Sequence, residues 1–164
     1  MNFTTIDLPY SLATGTQNPV EEFFVPLLKN ARTYDVAVGY FTSGWLRDAA
    51  DGFGKFALSG GKSRWIVSPE LEREDAHAIM ESSKLYGSVV DLHERQLVDV
   101  IQSLKQDTRE ELCALISAGI IDFQVAIPKT AGTGMFHAKI GIASDSEGNR
   151  LGFSGSYNLT AGAK

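Results

Sequence analysis

The chain has 164 residues, 43% of them hydrophobic and 21% charged, and a formal net charge of −5. That length holds one domain with a core of its own, and the balance is that of an ordinary globular protein rather than a disordered or fibrous one. Net negative charge excludes nucleic-acid binding by bulk electrostatics alone. No apolar run approaches the length of a membrane span, and the single cysteine, Cys113, excludes an internal disulfide.

In chain order, Met1–Tyr10 lacks the basic and apolar regions of a secretory signal. Together with the lone cysteine this places the expected location in the cytoplasm. Asn18-Pro19 followed by Glu21 and Glu22 predicts a helix start, with an Asn cap, Pro at the first helical position and acids in the first turn. That helix is expected to run to Ala31. Tyr34–Phe41 is short, β-branched and aromatic, the pattern of a buried strand. Ser43 is expected to cap a second helix reaching Leu58, which Gly60-Gly61 ends.

Ser63–Ser68 reads as the second strand, stopped at Pro69. From Glu72 to Ser117 the pattern is helical, in pieces broken near Gly87 and Asp107. Within it Leu92, Leu97, Val100, Ile101 and Leu104 form one apolar stripe of the core or partner-helix kind. His77 and His93 lie in acidic helical stretches and are expected on solvated faces. Cys113 reads as a plain buried cysteine. Gly119 closes the helical block, and Ile121–Ile127 is the third predicted strand. Lys129–Gly134 reads as a loop. Met135–Ala143 and Arg150–Ser154 read as a hairpin joined by the turn-rich Ser144–Asn149. Gly155–Lys164 is expected to begin as a turn and enter another helix.

The chemistry concentrates in Met135–Ala161. From Val125 to Lys164 the formal charge is +2, against −7 for the rest of the chain, so any polyanion chemistry is expected there. Strand alternation sets Phe136, Ala138, Ile140 and Ile142 on one face and His137, Lys139 and Gly141 on the other. An imidazole and an ammonium then point at one space, with Gly141 leaving room beside them. The following turn, Gly155-Ser156-Tyr157-Asn158, offers backbone N–H groups, a hydroxyl and an amide, the donors a phosphate needs. No spacing of His77, His93, Cys113 and the carboxylates forms a zinc pattern.

His137-Ala138-Lys139 followed by Gly155-Ser156-Tyr157-Asn158 resembles the H-x-K … G-S-x-N signature of the phospholipase D superfamily. The stretches around Gly39-Tyr40-Phe41 and Trp65–Leu71 are similar to phospholipase D-like domains at the front of bacterial helicases and restriction-type proteins. The resemblance implies an α/β fold: a mixed sheet flanked by helices, with a C-terminal β-hairpin carrying both motifs. It implies His137, Lys139 and Asn158 as catalytic residues, with Ser156 and Gly155 binding substrate. His137 would attack a phosphodiester and form a phosphohistidine, with Lys139 and Asn158 neutralising the non-bridging oxygens. A second histidine must serve the leaving group, and with one H-x-K in the chain a homodimer is its simplest source. No metal or cofactor is implied.

Two departures stand out. The seventh residue after His137, where the signature has Asp, is Ser144; Asp145 comes one later, in the turn, and is a weak candidate. The family's Glu beyond the Asn would fall past Lys164, so residues 1–164 are expected to be one phospholipase D-like domain from the front of a longer protein.

The expected partners are nucleic acid (DNA over RNA), a second copy, and a downstream helicase or restriction domain, with no membrane. The expected function is a metal-independent nuclease or phosphodiesterase. The alternative is a catalytically silent module that docks phosphate or nucleic acid. A lipid phosphodiesterase would call for paired motifs or an amphipathic membrane helix, and the sequence offers neither. Set against these readings, His137 and Lys139 fit an exposed sheet face, Asn158 a turn, and Ser156 a helix cap. Tyr40, Phe41, Thr42, Ser68 and Glu70, at strand ends, read first as structural.

Overall fold

A computed structural model describes residues 2–13, 15–71, 73–85, 108–127, 129 and 136–161. The chain is mixed α/β. Five strands, β1 Thr33–Val38, β2 Lys62–Val67, β3 Ile121–Val125, β4 Lys139–Ser144 and β5 Arg150–Ser154, form one sheet in the order β3-β2-β1-β4-β5. β1, β2 and β3 are mutually parallel; β4 runs antiparallel to β1, and β5 antiparallel to β4. Among the described residues five α-helices flank the sheet: α1 Val25–Asn30, α2 Gly44–Asp48, α3 Ala50–Leu58, α4 Arg73–Leu85 and α5 Thr108–Ser117. The apolar stripe from Leu92 to Leu104, with His93, lies outside the described residues.

Parallel neighbours need crossovers, and right-handed crossovers in a row place their helices on one face of the sheet. The burial alternation agrees. Tyr34, Val36 and Val38 of β1 and Ser63, Trp65 and Val67 of β2 are buried on one side, where they meet Phe24, Leu27, Leu28, Trp45, Phe53, Phe56, Leu112 and Leu115. Leu27, Leu28, Leu112 and Leu115 are fully enclosed, worth about 1.5–3 kcal/mol each. The rings of Trp45, Phe41 and Phe53 meet Trp65 edge-on, at centroid distances of 5.7, 5.2 and 6.0 Å.

The elements follow the sequence with four local changes. Asn18 does open the first helix: its Oδ1 accepts the Val20 N–H at 3.1 Å, and Glu22 reaches back to the Asn18 N–H at 3.0 Å. The turn Val20–Phe24 is π-helical before α1 tightens. The single helix expected over Ser43–Leu58 is two, α2 and α3, broken at Ala49, whose φ of −94° and ψ of 9° leave the helical region. The break lets Gly52 of α3 meet α1 backbone to backbone. A Cβ on Gly52 would stand 2.8 Å from the Val25 Cα. Gly60 and Gly119, with φ of 74° and 64°, stop α3 and α5.

The third change concerns β4. It begins at Lys139, so His137 precedes the strand; Met135, where the sequence placed its start, lies outside the described residues. The alternation holds, but Ile140 and Ile142 point to solvent while Lys139, Gly141 and Ala143 look toward the helices. The space expected beside Gly141 is filled. Its cross-strand partner Phe153 lays its ring there, where a Cβ would meet Phe153 Cζ at 2.2 Å. The fourth change is at the end of the described chain. Through Ala161 no helix forms; Leu159 instead makes a parallel bridge to Phe41.

Candidate functional site

The sheet register assembles the site. Val38 pairs with Lys139 at the ends of β1 and β4, so the next residues of β1, Gly39 and Tyr40, run beside His137 and Ala138. The Gly39 N–H donates to the Ala138 carbonyl at 2.8 Å. At the end of β5, the Gly155 N–H donates to the Lys139 carbonyl at 3.1 Å, and the Thr42 N–H donates to the Leu159 carbonyl at 2.9 Å. Three chain segments that are far apart in sequence therefore converge at one corner of the sheet.

Lys139 is half-buried, His137 is exposed, and the Lys139 Nζ lies 2.8 Å from Nε2 of His137. An ammonium only donates, so this bond requires a lone pair on Nε2 and puts the proton of the neutral ring on Nδ1. The Tyr40 ring meets the imidazole edge-on, at 5.8 Å between centroids and 81° between planes. The same residue's N–H donates to Asn158 Oδ1 at 3.3 Å. That bond orients the half-buried amide and leaves its NH2 group to donate elsewhere.

The structure thus brings His137, Lys139 and Asn158 to one place, with Tyr40 between imidazole and amide. Ser156 is exposed, with its hydroxyl at the same corner. Gly155 departs from the role expected of it. Its amide is engaged by the Lys139 carbonyl, so it holds the turn against β4 instead of offering a donor to phosphate.

Asp145 is committed to the β4–β5 turn and the N-terminal segment. It sits in the β4–β5 turn, where Oδ1 accepts the N–H groups of Glu147 and Asn149 at 2.9 Å each. Oδ2 accepts the Phe3 N–H and the Asn149 side-chain amide at 2.8 Å each. Burial raises the affinity of this carboxyl for its proton, but these four donors outweigh it and hold its pKa down at about 2. Its role is to fix the turn and tie the N-terminus to it.

The sequence assigned Gly39 no role at the site and read Tyr40, at a strand end, first as structural. Its one available signal was that Gly39-Tyr40 ends a predicted strand, where α/β folds collect functional groups. Among the other residues named from sequence, Phe41 is core, and Ser68 is fully buried with its Oγ accepting the Glu70 N–H at 3.3 Å. Glu70 and His77 are exposed. Cys113 is half-buried, its Sγ donating to the Ala78 carbonyl at 2.9 Å; burial pushes the thiol pKa up, against reactivity. Among the described residues no cluster of three His, Cys, Asp or Glu is placed to hold a metal ion, and no helix is long and apolar enough to cross a membrane.

Beside Lys139 and Ser156 a cavity of about 240 Å3 opens between the end of the hairpin, the segment Pro9–Leu12 and the start of the first helix. No protein-family model matches this chain, and no curated protein is significantly similar to it.

Proposed function

We propose that this chain is a phosphodiesterase domain of the phospholipase D type, acting on nucleic acid without a metal ion, with His137 as nucleophile. The observation that carries the reading is the 2.8 Å contact between Lys139 Nζ and His137 Nε2, with the Asn158 amide held by the N–H of Tyr40, whose ring meets the imidazole. A phosphate arriving at this corner competes for the ammonium. Once Lys139 turns to a non-bridging oxygen, the Nε2 lone pair is released at the moment an electrophile is beside it.

In the first step Nε2 bonds to phosphorus and the P–O bond to the leaving alkoxide breaks. The alkoxide takes a proton from a second histidine. In the second step that histidine removes a proton from water, whose oxygen attacks phosphorus and returns His137. The second histidine is supplied by another copy of the chain across a two-fold axis. Lys139, the Asn158 NH2 group and the Ser156 hydroxyl carry the charge that a metal would otherwise carry. DNA in a restriction or helicase-like assembly is the substrate setting that this reading favours.

The test is hydrolysis of bis(p-nitrophenyl) phosphate in excess EDTA by the wild-type protein and by His137→Ala, with the oligomeric state measured alongside. Turnover that survives EDTA and is lost in the variant supports the reading. No turnover by a verified dimer removes it.

One observation favours a second reading, a silent phosphate-docking module. Among the described residues no carboxylate holds Nδ1, so no partner there fixes the orientation of the imidazole as an activated nucleophile's usually is. In that case nucleic-acid binding would depend on Lys139 and Asn158 but survive His137→Ala.

A further inference from the structure

The cavity beside Lys139 is an aromatic-walled space with a cation at its edge. It shares Lys139 and Ser156 with the candidate phosphate site, so a substituent of a phosphate held there lies at its mouth. Its walls are flat and apolar: the rings of Tyr10, Phe23 and Tyr157, with Pro19. Among the described residues that line it Lys139 supplies the one charge and there is no carboxylate, in a chain of net charge −5. At about 240 Å3 it falls below the roughly 300–1,000 Å3 of a pocket for a drug-sized ligand and suits a single planar heterocycle.

The geometry points to a nucleobase site: the cavity takes one unstacked base of the strand whose phosphate is held at Lys139. This rests on the phosphate reading above and narrows it to single-stranded or terminal nucleotides. A paired base inside a duplex cannot enter without being extruded. The electrostatics require something of this kind. An acidic chain with one lysine at the site gains little from counterion release, so affinity for a strand must come from elsewhere. Stacking on aromatic rings is the available source, and it is indifferent to overall charge. Tyr10 is fully exposed and needs no repacking to meet a base.

The experiment is fluorescence-anisotropy binding of a labelled thymidine pentanucleotide and of the same sugar–phosphate backbone with every base removed. Wild-type protein, Tyr10→Ala and Lys139→Ala are compared; Tyr10 packs on nothing that its loss would unfold. The expected result is at least about fivefold tighter binding of the strand with bases. Tyr10→Ala should narrow that ratio, and Lys139→Ala should weaken both strands. Equal affinities that still fall in Lys139→Ala would overturn the base site and leave the phosphate reading standing. Base-dependent binding indifferent to Lys139→Ala would overturn the phosphate reading and, with it, the link proposed here. Binding of neither strand overturns both.

Discussion

Gly39 lies directly against His137: a Cβ on Gly39 would stand 3.0 Å from the imidazole Nδ1 and 3.1 Å from the His137 Cα. The cause is the sheet. β1 and the chain leading into β4 continue side by side past their last paired residues, joined by the Gly39 N–H to the Ala138 carbonyl. Gly39 is not among the glycines with positive φ, so alanine fits its backbone and offends only the close approach. Gly39→Ala therefore pushes the His137 segment by a few tenths of an ångström without unfolding the strand. A displacement of that size is expected to lower kcat on bis(p-nitrophenyl) phosphate by about tenfold. The Tm should move by only a few degrees, as about 1 kcal/mol of overpacking implies. An unchanged kcat would mean that the position of the imidazole does not matter to the reaction.

Gly141 and Phe153 form the other close pair, and theirs is a matter of stability. The Phe153 ring is held by Phe23, Phe24 and Tyr34, at centroid distances of 5.4, 5.6 and 6.2 Å, and cannot swing aside when a methyl group arrives on Gly141. Gly141→Ala is expected to cost about 1–3 kcal/mol in urea denaturation. In a Phe153→Leu background the same change should cost clearly less, because the two groups contend for one space. Strictly additive losses would show that ring and methyl never meet.

These two pairs mark where the sequence was readable and where it was not. Composition in β1 and β2, the Asn18-Pro19 start and the Gly60 and Gly119 stops are local signals, and they gave the elements their places. So was the hairpin legible, because Ser144–Asn149 is dense in turn formers. The pairing of His137 with Lys139 was legible too, since period-two alternation survives even though β4 starts only at Lys139. What could not be read were relations between segments distant in sequence. Nothing near Gly141 announces that Phe153 will fill its space, and nothing near Tyr40 announces Asn158. The first is a packing choice inside the β4–β5 hairpin, where the Phe153 ring folds over its cross-strand partner; the second follows from the chain after β5 returning to the end of β1, where Leu159 bridges Phe41, a choice of partner that no local pattern encodes. The engagement of the Gly155 amide by the Lys139 carbonyl continues the β4–β5 ladder one step past Ile140 and Ser154.

Asp75 illustrates a buried charge that sequence alone would assign to a solvated helix. It has no exposed surface, accepts the Ser43 N–H at 2.8 Å, and meets Arg109 Nε at 3.4 Å. One carboxylate on α4 thus serves the start of α2 and the start of α5. Asp75→Ala leaves the Ser43 amide buried without an acceptor and takes one partner from Arg109. Arg109 is half-exposed and regains water, which keeps the loss to about 2–3 kcal/mol. Urea denaturation measures it; a change below about 0.5 kcal/mol would mean that solvent replaces the carboxylate at no cost.

Asp145 yields the pH prediction. Its carboxyl titrates at about 2 in the folded chain, below the ordinary 3.8, because four donors converge on its two oxygens. A depressed folded pKa means that the ionised form stabilises the fold. That contribution is complete above about pH 4 and is lost as the pH falls from there through 2. Asp145→Asn turns one oxygen into an NH2 group facing other donors, so its Tm should lie below wild type at pH 7. The gap should close as both proteins are acidified toward pH 2. Because the carboxylate is committed to the turn and to Phe3, hydrolysis of the chromogenic diester should persist in Asp145→Asn well below its Tm. Loss of turnover in a folded variant would instead return this residue to the chemistry, and would require the turn to open when substrate binds.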